Sequence, residues 1–321
     1  MAYQSGRMRV GLTGISSDLG RALLPLLESD DTVNRIVAFD VVEREELSKK
    51  TDLVRIDLTR PGIEAELTAA MSEAKIDALF HLAFVNSKVH KAALAHELEV
   101  VGTLHVLGAA GATRLKRLII PSLTALYGTG TSGPTFLPER YPLGGCPGSR
   151  FITDRVEVEL QVQRFIEHHP ETATQVLRFA PIVGPTSDNL FTRLLRTRFV
   201  PTILGFDPLW QVVHEADAAR AMHLALHSRA VGTFNIVGDG VLPLSTLIRR
   251  SGAQAVPMPG PLLRSMLGLL EATGTASVPE ALHDFFKFSW LADGRRAMQE
   301  LGFYPRIPTD EAIAGAVTRG S

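Results

Sequence analysis

The chain has 321 residues, a length that fits one or two domains. Lys and Arg number 33 against 34 Asp and Glu, a formal net charge of −1, which excludes the basic surplus of a nucleic-acid binder and the high net charge of a disordered chain. The single cysteine, Cys146, excludes an internal disulfide and a thiolate zinc cage.

Through the first half, short apolar runs alternate with segments of helical period. Arg9-Val10-Gly11-Leu12 reads as a buried strand, followed by Leu19, Leu23, Leu24 and Leu27 at helical spacing. Ile36–Phe39 and Leu53–Ile56 read as the second and third strands, Gly62–Ala74 as a helix and Ala78–Leu82 as the fourth strand. A helix carrying Leu94, Leu98, Val101 and Leu104 on one face precedes a fifth strand at Leu118–Ile120. Near-continuous apolar strands separated by helices predict a parallel sheet covered on both faces, and right-handed crossovers make it a doubly wound α/β fold. Thr129–Ser149, rich in Gly and Pro, reads as a loop; a helix with Ile152, Val156, Val162, Phe165 and Ile166 follows, then a strand at Thr174–Phe179. Beyond Pro185 the alternation weakens. Helices are expected over Phe191–Val200, Glu215–His227, Leu244–Arg250 and Pro261–Ala272, with short strands near Gln211–Val213 and Thr233–Val237. The expected layout is a cofactor-binding domain over 1–185, joined by later strands from about 205–237, and a smaller α/β lobe formed mainly by 186–321.

Met1–Met8 has no apolar signal core, and the apolar stretches near Ile119 and over Leu262–Leu270 are too short or interrupted to span a bilayer. A cytoplasmic protein without an integral membrane segment is expected.

The first strand runs into Thr13-Gly14-Ile15-Ser16-Ser17-Asp18-Leu19-Gly20 and then a helix. A glycine turn at that place lets backbone N–H groups approach a pyrophosphate at the positive end of the helix. Gly14 makes the tight turn, Gly20 allows close helix–strand packing, and Ser17 stands where the dinucleotide pattern has its middle glycine. Asp40, at the end of the second strand, is placed to bind the adenosine ribose, which favours NAD over NADP.

The chain resembles the NAD-dependent epimerase/dehydratase family of extended short-chain dehydrogenases/reductases. The resemblance covers nearly the whole chain. It rests on Val10–Gly20, on Asp57-Leu58 after the third strand, on His81-Leu82-Ala83 beside the cofactor and on Gly102-Thr103 in the next helix. Leu126-Tyr127-Gly128, Arg178–Pro185, Val213–Ala221, Gly232–Val237 and Glu300–Pro305 match later motifs of that family in order. It implies a Rossmann-type fold and a cofactor site built from Gly14, Ser16, Ser17, Asp18, Leu19, Gly20, Asp40, Asp57, Leu58, Leu82, Ala83, Arg155 and Pro181. It also implies a small-molecule substrate and pairing of two copies through Leu94–Leu107 and Ile152–Ile166.

The family's chemistry couples hydride transfer to proton transfer by a tyrosine, with a lysine four residues later and a nearby Ser or Thr. A phenol of ordinary pKa is a poor base at neutral pH without that help. Phe151 stands at the tyrosine position, Arg155 at the lysine and Leu123 at the Ser/Thr, flanked by Ser122 and Thr124. None of the four tyrosines precedes a lysine by four residues. Two readings follow: an oxidoreductase whose proton comes from water, Glu99, Thr124, Tyr141 or the substrate, and a catalytically silent nucleotide-binding protein that acts as a regulator or partner. In the first reading the expected substrate is a small carbonyl or hydroxyl compound, a nucleotide sugar or a lipophilic one.

The remaining candidates read as structural. Arg193, Arg196 and Arg198 could grip a diphosphate but fit a solvated helix face better. Cys146 has no evident His partner. His214, Glu215 and Asp217 mark a helix start, and no metal site is expected. The apolar run Leu262–Leu270 reads as a packed helix.

Overall fold

A computed structural model describes residues 7–42, 47–84, 92–129, 133–145, 149–272 and 281–317. Seven strands form the main sheet: β1 (Met8–Thr13), β2 (Val33–Asp40), β3 (Thr51–Arg55), β4 (Ala78–His81), β5 (Arg117–Leu123), β6 (Ala173–Phe179) and β7 (Gly232–Ile236). Their order is β7-β6-β5-β4-β1-β2-β3, every pairing parallel. The chain reverses direction across the sheet between β1 and β4, so the turns after these two strands open a crevice at their carboxyl ends, the place where such sheets bind ligands.

Helices cover both faces. On one side α1 (Asp18–Glu28) packs with a later helix, Glu215–His227, over a core that includes Leu12, Leu23, Phe80, Met222 and Phe234. On the other side α2 (Ile63–Ala74), α4 (Gly102–Ala112) and α5 (Arg150–His168) bury Phe39, Leu67, Val106 and Phe165, and the short α3 (Ala92–His96) leads toward α4. Both faces are apolar, which is why these strands lack an alternating pattern. A separate core gathers Phe191, Trp210, Phe286 and Trp290, with the Trp210 and Phe191 rings stacked at 4.7 Å.

The second half departs from the sequence reading in places. The helix expected over Phe191–Val200 is the short α6 (Leu190–Leu195), and the chain then extends as a strand, Phe199–Ile203. That strand pairs in parallel with Gln254–Met258, about fifty residues further on. A long-range pairing overrides local helical spacing here. Glu215–His227 is helix α7, as expected. No described helix is long and apolar enough to cross a membrane.

Candidate active site

The turn between β1 and α1 is the best-built part of the crevice. Gly14 has φ +70°, and a Cβ there would lie 2.6 Å from the backbone of Ala83 in the turn after β4. A Cβ on Gly20 would lie 2.6 Å from the Gly14 carbonyl oxygen. Both glycines are therefore required by close approach, Gly14 also by its left-handed backbone. Ser17 caps α1, its Oγ accepting the Gly20 N–H at 3.0 Å, a cap worth about 1 kcal/mol. The Asp18 carboxylate pairs with Arg21 and accepts the Asp188 N–H at 2.9 Å. Leu19 packs on the core beneath.

Asp40 ends β2 facing this turn. Its Oδ2 accepts the N–H and hydroxyl of Ser16 (3.0 and 2.8 Å), and its Oδ1 accepts the N–H groups of Val41 and Val42. Four donors on one carboxylate fix its orientation. A ribose hydroxyl can replace the Ser16 hydroxyl without loss, whereas a 2′-phosphate brings a second anion against it. These residues fit a dinucleotide with a free 2′-hydroxyl. The Asp57 Oδ1 accepts the N–H and hydroxyl of Thr59, fixing the turn after β3, and Leu58 is buried against Gly102. Leu82 is buried and donates its N–H to the Thr13 carbonyl, which ties the turn after β4 to the end of β1. The Pro181 carbonyl accepts the Val213 N–H.

A second cluster forms where the start of α5 meets the segment between α3 and α4. Between α3 and α4 the helix widens by one residue over Glu97–Val101, with the Gly102 N–H bonded to the Glu97 carbonyl. A widened turn of this kind shifts the side chains that follow it. Glu99, on that turn, is buried and meets Arg155 of α5 side-on: Nη2 donates to Oε1 at 3.0 Å, and Nε lies 2.8 Å from Oε2. The Arg155 guanidinium also sits 4.2 Å from the Phe84 ring centroid and 5.5 Å from that of Phe151. Phe151 itself is 40% exposed in the first turn of α5. The structure thus brings Glu99, Phe151 and Arg155 together.

Other candidates are placed elsewhere. Leu123 ends β5 and packs toward the second core, while Thr124 is buried at the start of a tight turn, Thr124–Tyr127. The Ser122 hydroxyl donates to Glu159. Tyr141 rests edge-on against Tyr127, ring centroids 6.3 Å apart. Cys146 lies outside the described residues. Arg193 is held by Asp188 at 2.6 Å, and Arg196 donates to the carbonyls of Gly184, Pro185 and Ala316. The His214 side chain caps α7, Glu215 holds Thr186 and Ser187, and Asp217 accepts the N–H groups of Arg306 and Ile307.

Two buried networks were not anticipated from the sequence. His81 bonds to Thr13 at Nδ1 (2.7 Å) and to Thr103 at Nε2 (3.0 Å), and the Thr103 hydroxyl donates to the Glu99 carbonyl. Burial, with the nearby Arg155 charge, lowers the His81 pKa to about 3, so the ring is neutral. Arg178 is clamped by Glu159 at 2.6 Å and donates to the Tyr127 hydroxyl at 2.9 Å, which in turn donates to Asn235 at 2.7 Å. Burial raises the Tyr127 pKa, against the opposing pull of Arg178, which keeps this phenol protonated and structural.

A doubly wound sheet with a glycine turn at its first strand and an acid at the end of its second defines a dinucleotide-binding protein of the Rossmann class. The profile of the NAD dependent epimerase/dehydratase family matches residues 10–237, and the chain belongs to that family. It is 29% identical over 309 residues to an uncharacterized protein of Mycobacterium tuberculosis, covering 94% of this chain and 81% of that one. It is 26% identical over 324 residues to a 4-hydroxy-2-methyl-3-oxo-4-farnesyl-3,4-dihydroquinoline-1-oxide ketoreductase of Stigmatella aurantiaca, covering 95% of each. Among solved structures, a UDP-glucose 4-epimerase of Thermus thermophilus in complex with NAD has the same fold, with TM-score 0.74 and 19% identity over 97% of this chain and 98% of that one.

Proposed function

We propose that the protein is an NAD-dependent oxidoreductase that moves hydride to or from a carbonyl or hydroxyl carbon of a lipophilic small molecule. The observation that carries this reading is the meeting of the Gly14–Gly20 turn with the Asp40 carboxylate, a site suited to an adenosine ribose with its 2′-hydroxyl free. In this reading Gly14, Ser16, Ser17, Asp18, Leu19 and Gly20 hold the pyrophosphate. Asp40 holds the ribose, Asp57 and Leu58 border the adenine, and Leu82, Ala83, Pro181 and Arg155 border the nicotinamide half. The cofactor supplies hydride exchange when bound. The cofactor domain corresponds to residues 1–185 with the later strands, and the lobe over 186–321 receives the substrate.

Phe151 cannot carry a proton, and a guanidinium does not release one near neutral pH. Thr124 is buried and Tyr141 is packed on Tyr127. The exposure of Phe151 supports water as the proton source, with the Arg155–Glu99 pair orienting the reacting oxygen through a guanidinium N–H. A lipophilic substrate is supported over a nucleotide sugar by the commitment of Arg193 and Arg196 to protein partners, and by the ketoreductase relative. A homodimer through α3–α4 and α5 is supported by the exposure of Leu94, Leu104 and Leu160 on these helices.

The test is calorimetric titration with NAD and NADP, followed by NADH oxidation at 340 nm against prenylated or alkylated cyclic ketones and against UDP-glucose. Tight NAD binding and turnover of a ketone are expected. Failure to bind NAD at millimolar concentration overturns the reading. Binding without turnover of either substrate class establishes the silent alternative, and installing the family pair with Phe151→Tyr and Arg155→Lys then tests whether the missing proton donor is the cause.

A further inference from the structure

Away from the crevice, three metal-ligating side chains converge. Asp30 lies two residues past the end of α1, and His223 and His227 stand one turn apart on α7. The Nε2 atoms of the two imidazoles approach the same Asp30 oxygen, Oδ2, at 2.8 and 2.7 Å. All three ligand atoms fall within 4.8 Å of one another. The other Asp30 oxygen, Oδ1, accepts the N–H and hydroxyl of Thr32 at 2.8 and 2.6 Å, so the carboxylate is held with one oxygen turned to the histidines. Lys50 donates to the Glu28 and Asp30 carbonyls at 3.0 and 2.5 Å; its positive charge opposes a cation nearby and limits affinity.

We propose that Asp30, His223 and His227 form a site for a divalent transition metal of the zinc class, which clamps the end of α1 to α7. Residues four apart on a helix lie on one face, so two imidazoles at this spacing present their Nε2 atoms to one point in space. Zinc binds imidazole nitrogen and carboxylate oxygen at about 2.0–2.2 Å. Around a tetrahedral ion such ligands stand roughly 3.3–3.5 Å apart, so the two Asp30–histidine gaps of 2.8 and 2.7 Å each open by about 0.5–0.8 Å to admit one. Two neutral imidazoles and one carboxylate suit Zn²⁺, Co²⁺, Ni²⁺ or Cu²⁺, whereas Mg²⁺ and Ca²⁺ require oxygen ligands. Thr32 supplies the orienting hydrogen bonds that metal-bound carboxylates ordinarily have. The partial exposure of both histidines leaves room for water at the remaining position. The site is at the opposite end of α1 from the glycine turn, about 16 Å along an eleven-residue helix. Its role is therefore structural, separate from hydride transfer.

The test uses metal-stripped full-length protein titrated with Zn²⁺ by calorimetry, with Mg²⁺ in parallel. One saturable equivalent of Zn²⁺ and no response to Mg²⁺ are expected. His223→Gln and His227→Gln each weaken binding at least tenfold, and Thr32→Val weakens it by up to about tenfold, since it removes the hydroxyl hydrogen bond to the carboxylate and leaves the backbone N–H in place. The chain's other histidines are controlled for by the double variant H223Q/H227Q, whose folding is checked by circular dichroism. Unchanged affinity and stoichiometry in a folded double variant overturns the proposal, as does the absence of saturable Zn²⁺ binding by the wild type below millimolar concentration. If the double variant does not fold, the Cu²⁺ electron paramagnetic resonance spectrum of the wild type decides. Splitting from two nitrogens supports the site, and splitting from one or none overturns it.

Discussion

His81 shows how neighbours set the chemistry of a single residue. The Thr103 hydroxyl spends its proton on the Glu99 carbonyl, so it can only accept from His81; the ring proton is therefore on Nε2, and Nδ1 accepts from Thr13. Charging this ring in the fold is opposed by burial and by Arg155, which lower its pKa to about 3. The unfolded chain takes up the proton near pH 6.5. Between these values the unfolded state binds more protons, so the stability contribution is intact above about pH 6.5 and is lost as pH falls toward 3, at up to about 1.4 kcal/mol per unit. We expect His81→Gln to flatten the pH dependence of the urea midpoint between pH 4.5 and 6.5 relative to wild type; parallel curves would contradict this. The Glu99–Arg155 pair gives a second prediction at this scale. Glu99→Leu strands a buried guanidinium and costs about 3–5 kcal/mol, whereas Glu99→Leu with Arg155→Met removes both charges and comes close to wild-type stability. Chemical denaturation of the two variants measures the difference.

At the scale of elements, helix α7 joins distant parts of the chain. Its N-terminal half carries Asp217, whose Oδ2 accepts the N–H groups of Arg306 and Ile307 at 2.8 and 2.9 Å, while Oδ1 takes Arg220 at 2.8 Å. Its C-terminal half carries the histidines that meet Asp30 beyond α1. One helix thus fixes both the C-terminal segment and the end of the helix that begins at the glycine turn. Asp217→Ala leaves these N–H groups without their acceptor and is expected to cost about 2–4 kcal/mol. Hydrogen exchange should report a selective loss of protection around Arg306–Ile307; unchanged protection there would show that Asp217 does not hold the segment.

For the whole molecule, the prediction concerns cofactor and stability together. A ligand bound only by the folded state stabilises it by about 2.7 kcal/mol at a hundredfold excess over its Kd. Thermal melts with saturating NAD are therefore expected to rise by several degrees. NADP at the same concentration should give little rise, because its phosphate meets the Asp40 carboxylate. Asp40→Ala should narrow the gap between the two. Equal shifts with both cofactors in the wild type would argue against a ribose role for Asp40.

Much of the first half was legible without coordinates because its signals are local. The apolar runs of β1, β2, β4 and β5, the Gly14–Gly20 turn and the acid at the end of β2 follow from hydropathy, backbone freedom and spacing along a few residues. Side-chain identity needs no fold either, so the absence of any tyrosine followed four residues later by a lysine is read from the sequence alone. Only the tertiary structure decided that Phe199–Ile203 is a strand, because its partner is Gln254–Met258 and strand pairing is a long-range event. Only it turned Glu99 inward onto Arg155, through a widened helical turn that hydropathy does not reveal. The His-x-x-x-His spacing of His223 and His227 is plain in the sequence, but Asp30, far away along the chain, reaches them only because α1 packs on α7. Local signals are written in neighbouring residues; the meeting of charges across the molecule depends on how the helices pack against the sheet.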